Sequence, residues 1–327
     1  MNILIDIGHP AHVHLFKNFA WAMVKKGHSI FFTCREKEFE IYLLEKYGFE
    51  YKSFGKKYKS GFGKIWGMIE FDIKELISGL KIKPDLLLSH GSIYAAHTSF
   101  LLRKPHISFE DTFNFEQIRL YLPFTNVVLT GNYDHPSLNK KEIKYDGYHE
   151  LAYLHPNYFT PDKNILTELN VKENDKYVII RFVSWQATHD AGHKGISLKN
   201  KINAVNEFAR YAKVFISAET ELPYELKEYE INISPHRMHD AMYYSTLIYG
   251  ESATMASEGA VLGVPAIYID NTSRPYTQEQ EKKYGLVYNF SESEDDQLRA
   301  LEKAIELLNK QNLKEEWKKR QQKMFQM

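Results

Sequence analysis

Short apolar runs alternate with amphipathic stretches along most of the 327 residues, and this alternation limits the folds open to the chain. "NILIDIG" (2–8) reads as a buried strand. The stretch 12–28 carries Leu15, Phe16, Phe19, Ala20 and Met23 at helical spacing and closes on Gly27, a C-terminal cap. A strand over 29–34 and a helix over 36–48 follow, then strands at 84–91, 105–111 and 126–131. A strand–helix rhythm of this kind predicts α/β structure, a parallel sheet covered on both faces.

The rhythm weakens across 148–164, which holds two prolines and little periodicity. It resumes with strands at 176–184, 213–219, 231–234, 246–252 and 265–270. The expectation is two successive doubly wound domains, 1–155 and 156–327. The last stretch, from Asp296 onward, reads as a long charged helix or pair of helices that in a two-domain layout can cross back to the first domain.

Composition narrows the function classes. Lysine plus arginine and aspartate plus glutamate both number 42, a balance that gives no support to nucleic-acid binding. The single cysteine, Cys34, excludes an intrachain disulfide and a thiolate zinc cluster and fits a reducing cytoplasm. The N-terminus enters a strand directly, so no secretory signal is expected, and no apolar run approaches bilayer-spanning length.

Open parallel sheets bind ligands beyond the carboxyl ends of their strands. That rule singles out Gly8 to His12, Ser89 to Ser92, Glu110 and Asp111, Arg181 to Trp185, Ser217 to Glu219, and Gly250 to Ser252. The most informative segment is 240–270, which reads helix, strand, short loop, helix, strand. Gly250 precedes a helix whose N-cap is Ser252, and free N–H groups at a helix start favour phosphate oxygens. Thr254 and Glu258 share one helical face, where a carboxylate can accept from a ribose diol. On spacing alone, an ordinary helix with a surface glutamate fits equally well.

His9, His12 and His14 lie close together behind Asp6. Side chains two apart on a helix diverge by about 200°, so His12 and His14 do not share a ligand and no metal site is expected. His14 reads as a helix-surface or packing residue. His12 reads either as a cap or as a general base, since imidazole titrates near neutrality. Glu110 and Asp111 compete for the same proton. The strip 51–64 has five lysines, no acid and interleaved aromatics. It reads as a solvated loop, or as a contact for an anionic membrane surface or a polyanionic glycan.

The segment from Ser252 to "LGVP" resembles the nucleotide-binding signature of GT-B sugar-nucleotide enzymes. The six-residue step from Ser252 to Glu258 also resembles that of the non-hydrolysing UDP-N-acetylglucosamine 2-epimerases. The opening strand, His-containing turn and helix resemble those of the peptidoglycan lipid-intermediate N-acetylglucosaminyltransferase. Over its whole length the chain is similar to a bacterial and archaeal family of unassigned function in the GT-B superfamily. The resemblance implies two Rossmann-like domains facing a cleft, an acceptor-side domain first and a nucleotide-sugar-binding domain second. It implies a cytoplasmic glycosyltransferase with no tightly bound cofactor, a UDP-linked sugar as donor and a glycan or lipid-linked acceptor.

Residue by residue, the resemblance implies that His12, Glu110 or Asp111 takes the acceptor proton. Arg181, Ser217, Gly250, Ser252 and Thr254 then surround the donor phosphates, Glu258 holds the ribose, and His236, with Pro235 and Arg237, meets the base. An epimerase would use Glu110 and His189 as acid and base, but it carries an aspartate where this chain has Ser92. A non-catalytic nucleotide-sugar-binding protein is the third reading.

Overall fold

The computed structural model describes residues 1–56, 58, 61–183 and 195–326, without the side chains of 61, 62, 64 and 65. The chain divides into two compact units, Met1–Tyr153 and Leu154–Met327.

Among the described residues the first unit holds seven strands and five α-helices in the order β1 (Asn2–Ile7), α1 (Pro10–Lys25), β2 (Ser29–Glu36), α2 (Glu40–Lys46), β3 (Tyr51–Lys56), α3 (Gly61–Ile82), β4 (Leu86–His90), α4 (Ile93–Leu102), β5 (His106–Glu110), α5 (Phe115–Tyr121), β6 (Val127–Gly131) and β7 (Glu142–Tyr145). A short α6 (Leu151–Leu154) spans the boundary. The sheet order is β3-β2-β1-β4-β5-β6-β7, with parallel pairs throughout. Strand direction of growth reverses between β1 and β4. Alternation along β1 explains the two covered faces. Ile3, Ile5 and Ile7 pack with Phe16 and Leu44 on one side, while Leu4 packs with Leu87 and Ala95 on the other. Cys34, in β2, is fully buried among the first group, and burial raises its thiol to about 12.

The second unit runs α7 (Ile165–Glu168), β8 (Tyr177–Phe182), α8 (Leu198–Phe208), β9 (Lys213–Ala218), α9 (Met238–Tyr244), β10 (Leu247–Gly250), α10 (Ala253–Leu262), β11 (Ala266–Ile269), α11 (Pro275–Glu279), β12 (Val287–Phe290), α12 (Glu294–Asn309) and α13 (Leu313–Met324). Its order is β12-β11-β10-β8-β9, again all parallel, with the reversal between β8 and β10. The terminal helix α13 is fixed to this unit: Trp317 is buried with its indole N–H on the Leu286 carbonyl.

The structure departs from the sequence reading at several elements. Residues 231–234 form no strand, and only an isolated bridge joins Ile216 to Glu230. The first helix begins at Pro10 rather than His12, because His9 is its N-cap. The strip 51–64 is not one loop: residues 51–56 make edge strand β3, and α3 starts at Gly61. Strands β7 and β12 were not expected.

Candidate functional site

In each sheet the crevice lies where strand order reverses, so the residues at the carboxyl ends of β1/β4 and of β8/β10 are the candidates.

In the first unit, β1 ends in Gly8, and His9 caps α1 by accepting the Ala11 N–H on Nδ1 at 3.2 Å, with Pro10 in the first turn. This turn carries His12 across to the end of β4, where its ring stacks on that of His90 with centroids 4.5 Å apart. Nδ1 of His12 accepts from the Gly8 N–H at 3.3 Å. Burial first, then the charge of His90, hold the His12 imidazole well below its usual range, so it is neutral. His14 is buried, stacked on Tyr153, a packing residue.

Beneath His12 the structure assembles a relay. His90 Nε2 lies 3.1 Å from one Asp111 oxygen, and His149 Nδ1 lies 3.0 Å from the other. Burial works against charge on His90, but the Asp111 carboxylate outweighs it and lifts the imidazole to about 8. Burial likewise works against charge on Asp111, yet His90 and His149 hold it well below the usual carboxylate range. Nε2 of His149 is buried with no hydrogen-bond partner among the described residues. The ligand atoms of His90, Asp111 and His149 lie within 4.8 Å of one another, a donor set suited to a divalent cation. Each carboxylate oxygen faces an imidazole nitrogen at hydrogen-bond distance, so a cation would have to displace both protons.

The other sequence candidates in this unit are engaged in holding loops. Glu110 accepts from Thr112 N (2.9 Å) and Oγ1 (2.8 Å), from Phe113 N (2.9 Å) and from Tyr121 Oη (2.7 Å). Ser92 caps α4 through the Ala95 N–H and donates to Asp6, which also pairs with the buried guanidinium of Arg35.

In the second unit, Gly250 sits beside Arg181 in the β10–β8 pairing with φ +140°, and a Cβ there would come 2.1 Å from the Arg181 carbonyl. Only glycine lets β10 end this close to β8. Ser252 then caps α10, its Oγ accepting the Met255 N–H at 3.2 Å. The earliest amides of α10, around Thr254, have no carbonyl of their own helix to meet. Arg181 lies along the strand ends, its guanidinium on Ser217 Oγ (2.8 Å) and Glu219 (3.1 Å). Glu258 is not a surface residue: it is buried one turn below Thr254 and meets His239 Nε2 at 2.8 Å. His236 is half-buried in the turn Pro235–Arg237 that precedes α9. Arg237 beside it is committed to Asp162, Glu168 and Asp240.

Arg181, Ser217, Gly250, Ser252 and Thr254 therefore stand along one row of strand ends, with Glu258 beneath. His12 and Asp111 stand around His90 in the first unit. His189 lies outside the described residues. The sequence reading passed over His90, although it falls inside the marked loop 89–92. It also passed over His149, in the aperiodic stretch where no strand end points to it. Glu251 was inside a marked loop as well. It is buried, and its carboxylate takes the amides of Val183 (2.8 Å) and Ile196 (2.6 Å) and the Lys201 ammonium (3.2 Å).

The two-unit α/β fold is that of the GT-B class. It is shared with the UDP-GlcNAc 2-epimerase of Neisseria meningitidis, solved bound to UDP-GlcNAc, at TM-score 0.70 and 14% identity over 100% of both chains. It is shared also with the glycosyltransferase VinC, solved with dTDP, at TM-score 0.62 and 12% identity, covering 99% of this chain and 95% of that one. In sequence the chain is similar to the uncharacterized protein MJ0665 of Methanocaldococcus jannaschii, 25% identical over 288 residues, 82% of this chain and 81% of the other. Residues 1–281 match the family described as protein of unknown function, DUF354, and the chain belongs to that family.

Proposed function

We propose that the protein is a glycosyltransferase of hexosyl or N-acetylhexosaminyl type. It would move a sugar from a nucleotide donor, UDP-linked, to a glycan or lipid-linked acceptor in polysaccharide biosynthesis. The observation that carries the reading is the strand-end row of the second unit. There a capped helix start, a glycine without room for a side chain and an arginine adjoin at the point where strand order reverses. The solved relatives with UDP-GlcNAc and dTDP support a nucleotide-sugar ligand.

In this mechanism the amides near Ser252 and Thr254 hold the pyrophosphate, with Arg181 as a cationic partner positioned by Ser217 and Glu219. Their electropositive field stabilises the departing nucleoside diphosphate. Glu258, oriented by His239, receives the ribose hydroxyls, and His236 meets the base. In the acceptor unit, neutral His12 takes the acceptor proton. Burial and the charge of His90 oppose the imidazolium that forms, and Asp111 offsets part of that opposition. Glu110 shapes the loop. Lys52 and Lys56, in the part of the 51–64 strip within β3, offer contacts to an anionic acceptor, while 57, 59 and 60 lie outside the described residues. A lipid-linked acceptor would set the enzyme to work at the inner face of the cell membrane.

Epimerisation is the second reading, favoured by the likeness to the epimerases. Against it stands Ser92, a hydroxyl committed to capping α4 where an acid/base carboxylate is needed. The test is a panel of nucleotides and nucleotide sugars followed by thermal shift, with NMR of UDP-N-acetylglucosamine incubated without acceptor. A UDP-dependent rise in melting temperature and an unchanged sugar are expected. Formation of the 2-epimer would overturn the transferase reading, and the absence of any nucleotide shift would remove both. Activity is expected to survive chelation, whereas loss on chelation and recovery with zinc or manganese would hand His90, Asp111 and His149 to a cation.

A further inference from the structure

Helix α3 buries one side against the first unit's sheet and α4, and leaves the other open. Its open line is Trp66, Ile69, Ile73, Ile77 and Leu80, spaced three, four, four and three apart and hence within a narrow arc of one face. Leu101 of α4 continues it. The two helices cross closely at Gly79, where a Cβ would come 2.7 Å from Leu102 and 2.9 Å from Thr98, so Leu101 flanks the crossing while Phe100 turns to the far side of α4 against Phe124. These six side chains are between 42% and 63% exposed. Soluble surfaces rarely carry so continuous an apolar patch without a partner.

The charge around the patch discriminates among partners. All three acids of α3 are occupied within the unit or buried: Glu70 pairs with Lys74 and Tyr58, Asp72 with His97, and Glu75 is fully buried. The exposed charges that flank α3 along the chain are Lys56 before its N-terminus and Lys81, Lys83 and Asp85 at its C-terminus, with Arg103 at the end of α4; Asp85 faces Lys104 at 3.9 Å, so both ends are net cationic. A second copy docked through a twofold axis would bring cationic ends onto cationic ends. A bilayer bearing anionic headgroups would accept the apolar line and be attracted by both ends, with Trp66 at headgroup level. No helix among the described residues is long and apolar enough to cross a membrane, so the contact lies in the plane of the surface.

We propose that the α3–α4 face of the first unit is a docking surface for an anionic lipid bilayer. The proposal names the partner of the acceptor unit more closely than the sugar-transfer reading does, but it stands without that reading.

The test is co-sedimentation of the full chain with phosphatidylcholine vesicles, with and without phosphatidylglycerol, at low and high salt. The parent is expected to pellet only with the anionic vesicles and to be released by salt. Ile73→Asp combined with Ile77→Asp, both exposed positions, should lower partitioning at least tenfold with an unchanged circular dichroism spectrum and an unchanged nucleotide thermal shift. Lys81→Glu with Lys83→Glu should abolish the preference for phosphatidylglycerol. A parent that stays in the supernatant overturns the proposal. So does an aspartate pair that pellets like the parent, or a concentration-dependent dimer in ultracentrifugation that the aspartate pair dissociates. The nucleotide shift, measured on the same variants, reports on the transferase reading separately.

Discussion

At the scale of single residues, His90 and Asp111 show how a strand-end position acquires charge inside a protein. The imidazole lies above its ordinary 6.5, at about 8, because the Asp111 carboxylate, helped by Glu110, outweighs the opposing effect of burial. Such a group contributes stability that is complete below pH 6.5 and is lost as pH rises through about 8, a difference of up to about 2 kcal/mol. His90→Gln is therefore expected to flatten the fall in melting temperature between those pH values, which a thermal scan across pH measures. Glu110 tests the opposite expectation. Because it accepts four hydrogen bonds, Glu110→Ala should cost about 3 kcal/mol in urea titration by stranding buried donors, while UDP binding by the folded protein is unaffected. His12 and Asp111 were legible because the strand-end rule depends only on chain order. The engagement of Glu110 was not, since it depends on how the loop 111–114 folds back and on Tyr121 a helix away. His149 was invisible for a related reason: it reaches Asp111 from a stretch with no periodicity to place it.

At the scale of elements, the central strands were readable because both their faces are buried and their sequences are nearly continuous apolar runs, as in "YVIIRF". The strands that escaped, "YKSFGK", "EIKY" and "VYNF", all lie at sheet edges, where polar residues are tolerated and the apolar signal is weak. The reverse error, a strand at 231–234, followed an alternating "INIS" that pairs with nothing beyond one bridge. The α10 segment was legible down to its cap, because Ser252 and Gly263 bracket it in sequence as they do in space. Two substitutions there should separate roles. Ser252→Ala is expected to cost about 1 kcal/mol in denaturant titration and to weaken UDP binding by calorimetry. Gly250→Ala, at φ +140° against the Arg181 carbonyl, should cost more than about 3 kcal/mol and leave little folded protein.

At the scale of the whole molecule, the chain is two doubly wound units with different strand orders, each reversing once and each carrying its candidate residues at the reversal. The rhythm of the sequence carries the class of both sheets. It does not carry the order of the strands or the exposed line on α3, because apolar spacing of three and four reads the same whether a face is covered or open. One detail of the first sheet makes the two units separable in the laboratory. Cys34 is the chain's one thiol, and it is sealed in β2, so the second unit carries none. A maleimide or disulfide reagent can modify it only when that sheet opens, and the labelling rate becomes a clock for the first unit alone. Under native conditions the thiol should react orders of magnitude more slowly than a free cysteine. Saturating UDP, if it is held by the second unit, should leave that clock nearly unchanged while raising the overall melting temperature.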